Sequence, residues 1–282
     1  MFQKWRRMSP GSRILHSLAL LVLIIGFVMV AYPIFWILMS SLKKSEEITL
    51  NVWSLPTKLQ WINYKVAWER GISQYFLNSL LVTAATIIGV VLIGSAGAYG
   101  LSRYKASWIK YALLFVTGGM MLNPQVCLIP LYELLTRLNI RNTLYALILP
   151  YIAFRLPLST LLIRSFFVGV PKEIEESATI DGCGSLQMFF RIFLPISRPI
   201  LVTSAILTAY YAWNEFMFAV IFIDSNKYRT IPAGLMSFRD ALQVDWGPLI
   251  AGMAISAVPI MIFFIFVQKY FIQGMFAGSV KG

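Results

Sequence analysis

Few side chains in this sequence could do chemistry. His16 is the single histidine and lies near the inner end of the first apolar run, where an interfacial or packing role is expected, so there is no convincing Ser-His-Asp set. No Cys/His cluster has the spacing of a metal site. The phosphate-binding pattern Gly-x4-Gly-Lys-Ser/Thr is absent. We therefore predict no catalytic residue, no metal site and no cofactor bound by this chain, and we expect that it does not bind ATP itself.

Two ionisable residues lie inside apolar runs, Arg155 and Glu215. Charged side chains are costly in hydrocarbon, so they face a bundle interior or a water-filled cavity. Either both residues line a translocation path, or they form a structural ion pair with each other. The residue types alone leave both interpretations open.

The composition calls for an apolar solvent. Apolar and aromatic residue types make up 58% of the 282 residues, and 13% are charged, about half of the ~25% in soluble domains. This excludes a disordered chain, a coiled coil and an ordinary soluble enzyme. The net charge of +12 is typical of a nucleic-acid-binding protein or of a membrane protein with basic loops.

Six apolar runs are long enough to cross ~30 Å of hydrocarbon as helices at ~1.5 Å per residue. The first run has 27 residues, more than the ~7–15 of the apolar core of a cleavable signal peptide, so we expect a retained first span. Pro124 and Pro157 lie in the third and fourth runs and are expected to bend or break those helices. The runs cover residues 16–42, 75–102, 111–131, 143–163, 200–223 and 248–268.

Six spans place both termini on the same side of the membrane. With the N-terminus inside, the inner segments carry 13 basic and 4 acidic residues, and the outer segments carry 10 and 7. The orientation rule counts Lys and Arg rather than net charge, so the bias of 13 to 10 is small. Basic loops account for the positive charge, and nucleic acid is not needed to explain it.

The segment between the fourth and fifth runs predicts two short helices. Pro171 suits the first helical position, and Glu173, Glu175 and Glu176 lie in the first turns, where the helix dipole favours negative charge. Gly182 is placed to end this helix in a left-handed turn.

The second short helix has more apolar surface than a solvated loop needs. Ser185 can cap its start, and Leu194-Pro195 is expected to stop it. The helix either packs under the bundle or docks into another protein, and the residue types leave both interpretations open. Its large apolar residues are Leu186, Phe189, Phe190 and Phe193.

The same segment resembles the EAA loop of ABC-importer inner-membrane permeases. The match is Glu176-Ser177-Ala178, three residues, Gly182, nine residues, Ile192, one residue, Leu194-Pro195, with Ser177 where the family usually has Ala. The resemblance implies a cytoplasmic coupling loop, residues 171–193, held in a cleft on an ATPase subunit, and thereby sets the orientation. It assigns ATPase coupling to Glu175, Glu176, Ser177, Ala178, Asp181, Gly182, Leu194 and Pro195.

Further matches follow in the family's order and resemble the maltose/multiple-sugar branch, specifically its shorter permease subunit. That subunit ends Gly-Ala-Val-Lys-Gly, and Ser279 stands here in place of the Ala. The resemblance implies a cytoplasmic tail, 274–282, in which Gly278, Val280, Lys281 and Gly282 approach the ATPases. The other matches are Asn63-Tyr64, Asn78-Ser79, Ala98-Tyr99 with Arg103, Pro130-Leu131-Tyr132 and Trp213-Asn214-Glu215-Phe216.

Given that resemblance, several polar residues are candidates for contact with a sugar. Asn123 and Gln125 flank Pro124, where a broken helix would free backbone groups for a polar ligand. The fifth run combines ring faces with amide groups, and sugars use both. Packing or an interfacial belt is the alternative for its aromatic residues. The candidate path comprises Asn123, Gln125, Arg155, Tyr210, Trp213, Asn214 and Glu215.

We therefore predict an all-α integral membrane protein with six transmembrane helices in a single permease domain, 1–282. It is expected in the inner membrane with both termini cytoplasmic, as one permease subunit of an ATP-driven carbohydrate importer, with an oligosaccharide as the expected substrate. The implied partners are a homologous second permease, two ATPase subunits that carry ATP and Mg, an extracytoplasmic sugar-binding protein, the carbohydrate and the lipid bilayer. A secondary transporter is the rival, but its paired intramembrane acids are missing, since Glu215 stands alone.

Overall fold

The computed structural model describes residues 10–238 and 244–277, and the regular elements within these ranges are helical. Two π-helical turns, Trp68–Ile72 and Phe189–Phe193, and two 3-10 turns, Asn226–Tyr228 and Leu235–Phe238, join the α-helices. In chain order these are α1 (Pro10–Ser40), α2 (Ser45–Leu50), α3 (Ile62–Ala67), α4 (Ser73–Arg103), α5 (Ile109–Gly119), α6 (Leu128–Arg137), α7 (Tyr145–Val168), α8 (Lys172–Ile180), α9 (Ser185–Met188), α10 (Leu194–Ile196), α11 (Arg198–Asn214), α12 (Met217–Phe222), α13 (Ile231–Gly234) and α14 (Trp246–Ala277).

Within the described residues, four helical runs are long and apolar enough to cross a membrane. They are Ile14–Ser40, Ile62–Arg103, Tyr145–Val168 and Trp246–Phe263. A fifth is obtained if Ser185–Ile196 and Arg198–Asn214, which meet at 76°, count as one span. Length and composition therefore give four to five spans where the sequence predicts six.

The third predicted span, 111–131, is not one helix. Helix α5 has 11 residues, about 16 Å of helix, and ends at Gly119 before α6 begins at Leu128. The intervening turn contains Pro124, and the Asn123 side chain accepts a hydrogen bond from the Gln125 N–H at 3.0 Å. The predicted break at this proline is confirmed. Pro157, in contrast, lies inside a continuous α7, so the helix is not broken there.

The fifth predicted span, 200–223, is also divided. Helix α11 ends at Asn214, and Glu215 has extended backbone angles of −66° and 125°. Its carboxylate accepts hydrogen bonds from the N–H groups of Phe218 (2.9 Å) and Ala219 (3.2 Å). The chain stops being helical here because this acid caps the start of α12, which apolar content does not reveal.

The described residues form two compact units, which we describe separately. The smaller unit comprises residues 10–70, 238 and 244–255. Here Lys43 is buried and donates hydrogen bonds to the carbonyls of Asn51 and Val52, both at 3.2 Å. Asn63 donates to the carbonyls of Ser41 and Lys43, both at 2.8 Å. The Asn63 bonds satisfy backbone carbonyls just after α1 ends, and the Lys43 bonds satisfy carbonyls just after α2 ends.

The larger unit comprises residues 71–237 and 256–277. Helices α4 and α7 approach closely because α4 presents glycines to α7: a Cβ on Gly89 would stand 2.4 Å from Ile152 Cδ1. Two buried clusters lie in this unit. One surrounds Tyr151 and Phe218, and the other surrounds Tyr99 and Phe193. Each cluster supports one of the candidate sites below.

Candidate functional site

Helix α8 forms the first half of the 171–193 loop. Pro171 precedes the helix with extended angles of −56° and 141°, so it is the N-cap residue and not the first helical residue as predicted. The helix ends as predicted, because Gly182 has a φ of 77°. The Gly182 N–H donates to the Thr179 carbonyl (3.0 Å), and the Cys183 N–H donates to the Ala178 carbonyl (2.9 Å). This pattern closes the helix with a left-handed glycine.

The second half of the loop departs further from the prediction. Ser185 is the first residue of α9 instead of its cap, and Gly184 occupies the cap position. Helical structure continues past Leu194-Pro195 to Ile196, so the predicted stop is wrong. A π-helical turn, Phe189–Phe193, precedes the proline. Such a turn changes the hydrogen-bond partners by one residue, which lets the chain continue although Pro195 has no N–H to donate.

One face of the loop packs into the larger unit. Ala178, Met188, Phe189 and Phe193 are buried. The ring of Tyr99 lies 5.2 Å from that of Phe189 and 5.1 Å from that of Phe193, measured between centroids. The interpretation that the aromatic residues pack under the bundle is therefore confirmed for this face.

The opposite face of the loop is exposed. Ile180 is 87% exposed, Leu186 74% and Phe190 58%. Five of the eight residues assigned to coupling are also exposed, and Glu175 and Leu194 are half-buried. The exposed five are Glu176, Ser177, Asp181, Gly182 and Pro195. Loop residues therefore divide between a packed face and an exposed apolar face rimmed by acids.

Arg103, at the end of α4, holds the loop in place. One guanidinium nitrogen lies 2.7 Å from Glu175 Oε1, and another donates to the carbonyls of Phe167 (2.7 Å) and Val170 (3.3 Å). The guanidinium carbon lies 4.7 Å from the centre of the Phe193 ring. From sequence, Arg103 is expected only as part of the family match with Ala98-Tyr99, without a role of its own. A basic residue ending an apolar run, in a chain with one dense acidic stretch, was the available signal.

A second polar site lies between α7 and α11, the membrane-embedded cluster of Tyr151, Arg155, Tyr211 and Glu215. The Tyr151 hydroxyl donates to Glu215 at 2.5 Å, and the rings of Tyr151 and Tyr211 meet edge to face at 5.6 Å. The Arg155 guanidinium lies 5.1 Å from the centre of the Tyr211 ring. Among the described residues, no salt bridge joins Arg155 to Glu215, so the hypothesis that these two residues pair with each other is wrong.

The remaining path candidates differ in exposure. Asn123, Gln125, Tyr210 and Asn214 are exposed, and Asn214 donates to the Tyr210 carbonyl at 2.8 Å. Trp213 is buried; its Nε1 donates to the Ser256 carbonyl at 3.1 Å, and its ring packs edge to face on Phe76. The structure brings Arg155 and Glu215 into one cluster around Tyr211.

Gly278, Val280, Lys281 and Gly282 of the tail lie outside the described residues, and positions 274–277 belong to α14. Among the residues that are described, no group of three or more His, Cys, Asp or Glu side chains could hold a metal ion.

Sequence comparison identifies two informative relatives. The probable ABC transporter permease protein YurM of Bacillus subtilis (strain 168) is 54% identical over 260 residues, covering 92% of this chain and 87% of that protein. The diacetylchitobiose uptake system permease protein NgcG of Streptomyces coelicolor (strain ATCC BAA-471 / A3(2) / M145) is 31% identical over 279 residues, covering 98% and 91%.

Structure comparison agrees on the fold. A chain in the crystal structure of a bacterial ABC transporter that imports the acidic polysaccharide alginate has a TM-score of 0.82 at 20% identity, covering 94% of this chain and 99% of that one. The family model of the binding-protein-dependent transport system inner membrane component matches residues 89–277. This chain therefore belongs to that family, and it is a multi-pass inner-membrane permease of an ABC importer rather than an enzyme.

Proposed function

We propose that residues 1–282 act as a single permease domain in an ATP-driven importer of carbohydrate, coupled to ATPases through the 171–193 loop. The observation that carries this proposal is the two-faced loop, packed on Tyr99 and tied to Arg103, with Ile180, Leu186 and Phe190 exposed. The role of the NgcG relative in diacetylchitobiose uptake supports a carbohydrate substrate.

The proposal retains six spans. Helices α5 and α6 together with the turn between them form the third, and α11 with α12 forms the fifth. Breaks of this kind are tolerated in membranes where the freed backbone groups lie in protein or line a water-filled cavity. Both termini face the cytoplasm, because the 171–193 loop must reach the ATPases.

The implied assembly has several other components. A second, homologous permease completes the translocation path, two ATPase subunits bind ATP and Mg, and an extracytoplasmic binding protein delivers the sugar. ATP-driven closure of the ATPases moves α8 and α9 as levers. Because Ala178 of α8 and Met188 of α9 lie in the buried cluster with residues of α4 and α7, the spans follow and alternate between inward-open and outward-open states.

The substrate path runs along α7 and α11. Exposed Tyr210 and Asn214 offer a ring face and an amide oxygen, and Asn123 and Gln125 are exposed at the α5–α6 break. Trp213 and Glu215 support the path from inside the protein. The Trp213 side chain is buried, and the Glu215 carboxylate accepts hydrogen bonds from the Tyr151 hydroxyl and from the Phe218 N–H at the start of α12.

Cysteine crosslinking tests the coupling role. A cysteine at exposed Glu176 should crosslink to the ATPase subunit in the assembled importer, whereas one at buried Ala178, two residues away, should not. Absence of a Glu176→Cys product in an intact complex would exclude docking through this face.

A truncation tests the proposed contact of the tail with the ATPases. Without residues 278–282, stimulation of ATP hydrolysis by the sugar-loaded binding protein should fall. An unchanged rate of hydrolysis would show that the tail is not part of the interface.

A further inference from the structure

Arg155 lies near the middle of its span. Helix α7 has 24 residues, about 36 Å of helix, and Arg155 is ten residues, about 15 Å, from its first residue. A guanidinium at that depth is expensive to maintain unless it faces a water-filled cavity or a partner of opposite charge.

The described residues provide no such partner. The contact of Arg155 is with the face of the Tyr211 ring, at 5.1 Å, and its Nε is buried with no hydrogen bond. The residue is otherwise half-buried, so the rest of the guanidinium remains accessible.

Glu215, the carboxylate in the same cluster, is already occupied. It accepts from the Tyr151 hydroxyl at 2.5 Å and from the N–H groups of Phe218 and Ala219. The helices α1, α4, α7, α11 and α14 contain no Asp or Glu. The positive charge of Arg155 is therefore not balanced by an acid within the long helices of this chain.

Other unoccupied groups lie on the facing helix. Half-buried Tyr211 makes no hydrogen bond through its hydroxyl with any residue that the structure describes. Helix α11 also exposes Tyr210 and Asn214, whose ring and amide oxygen suit the remainder of a sugar. A guanidinium and a hydroxyl that both lack acceptors fit an anionic oxygen group.

We propose that Arg155, with the Tyr211 hydroxyl, binds the carboxylate of an acidic carbohydrate in the translocation path. This inference rests on the proposed carbohydrate function and narrows it to anionic sugars. A neutral hydroxyl would leave the charge uncompensated, whereas a carboxylate both neutralises the guanidinium and accepts two parallel hydrogen bonds from it.

A matched pair of probes tests the proposal. The assembled importer in nanodiscs, with both permeases and both ATPases, is equilibrated with radiolabelled digalacturonate or with its neutral counterpart galactobiose. The binding protein is omitted so that its own preference does not contribute. We expect digalacturonate to bind about tenfold more tightly at low ionic strength, a difference typical of one charge-assisted bidentate contact.

The variants assign that preference to one side chain. Arg155→Gln should abolish the preference, because digalacturonate loses its charge-assisted contact and galactobiose does not, while Arg155→Lys should keep part of the preference. Arg164→Gln is the control, because Arg164 lies on the same helix and donates instead to the Leu101 carbonyl at 3.1 Å. This control should keep the full preference.

Two results overturn this proposal. One is equal affinity of the wild-type importer for the two probes, and the other is an Arg155→Gln importer that keeps the preference. If the two probes bind the wild type equally and the Arg155→Gln importer fails to assemble, the Arg155 guanidinium pairs instead with a carboxylate of the second permease.

The same measurements separate this inference from the proposed function. ATP-driven uptake of galactobiose without an acidic preference leaves the proposed function standing. An importer that binds neither probe and transports no carbohydrate overturns both proposals.

Discussion

The Arg103 guanidinium and the Glu175 carboxylate lie 2.7 Å apart, and they join the end of α4 to the first turn of α8. Their side chains are 12% and 24% exposed, so water screens the pair only in part. Arg103 also caps the end of α7 through the carbonyls of Phe167 and Val170. One side chain therefore contacts three helices at the base of the 171–193 loop.

Replacing Arg103 with Gln should loosen the loop from the spans. We expect the stimulation of ATP hydrolysis by loaded binding protein to fall several-fold, because motion of α8 is no longer transmitted to α4. A double-mutant cycle with Glu175→Gln, read from the thermal unfolding of the solubilised complex, should give a coupling energy of about 1–3 kcal/mol.

The ion pair of Arg137 with Glu133, disrupted by Arg137→Gln, is the matched control for that cycle. Arg137 forms an ion pair with Glu133 at 3.6 Å, with side chains 80% and 62% exposed. Exposed pairs of this kind contribute about 0–1 kcal/mol. A coupling energy for Arg103 and Glu175 no larger than this would show that the contact is incidental.

Gly182 should be sensitive to substitution for its backbone alone. Its φ of 77° disfavours any residue with a Cβ, although a Cβ there would meet nothing within 4 Å. Gly182→Ala should cost about 1–2 kcal/mol and reduce coupling, and Gly182→Pro, which needs a φ near −65°, should uncouple ATP hydrolysis from transport while membrane insertion persists.

Gly184 offers the comparison for this glycine. Its φ is −71° and a Cβ would again meet nothing, so Gly184→Ala should leave the ratio of sugar transported to ATP hydrolysed unchanged. If the two alanine variants behave alike, the left-handed turn at Gly182 does not matter for coupling.

Glu215 should stabilise the break between α11 and α12. In Glu215→Gln one carboxylate oxygen becomes an amide N–H₂ group, which cannot accept from the Phe218 or Ala219 N–H. We expect a loss of about 1–3 kcal/mol, measured by thermal unfolding of the solubilised importer. Tyr151→Phe removes the hydroxyl donor alone and should cost less. Equal unfolding temperatures for Glu215→Gln and the wild type would contradict the capping role.

Hydropathy predicts the helices whose backbone hydrogen bonds are all formed within the helix. It fails where a side-chain oxygen accepts a hydrogen bond from a backbone N–H group in place of the helical carbonyl. The runs 75–102 and 143–163 correspond to α4 and α7 to within a few residues. The runs 111–131 and 200–223 are broken, because Asn123 and Glu215 bind backbone N–H groups. The summed apolar content of a run contains no information about which groups accept hydrogen bonds from those N–H groups.

The candidate sites show the same division. The acidic residues and Gly182 predict the course of α8, since capping depends on local sequence. Arg103 could not be assigned from spacing, because it binds Glu175 across 72 positions of the chain. Likewise, the apolar run around Arg155 signals a buried charge, but only the folded structure shows that Glu215 is committed elsewhere.

The central position of Arg155 has an electrical consequence. If the site alternates between the two sides of the membrane, an empty site carries one positive charge through the membrane field, while a site holding a carboxylate is neutral. A full crossing is worth about 2.3 kcal/mol at 100 mV, so an inside-negative potential biases the empty importer towards its inward-open state. Displacement currents recorded without sugar should reveal this charge in the wild type and lose it in Arg155→Gln.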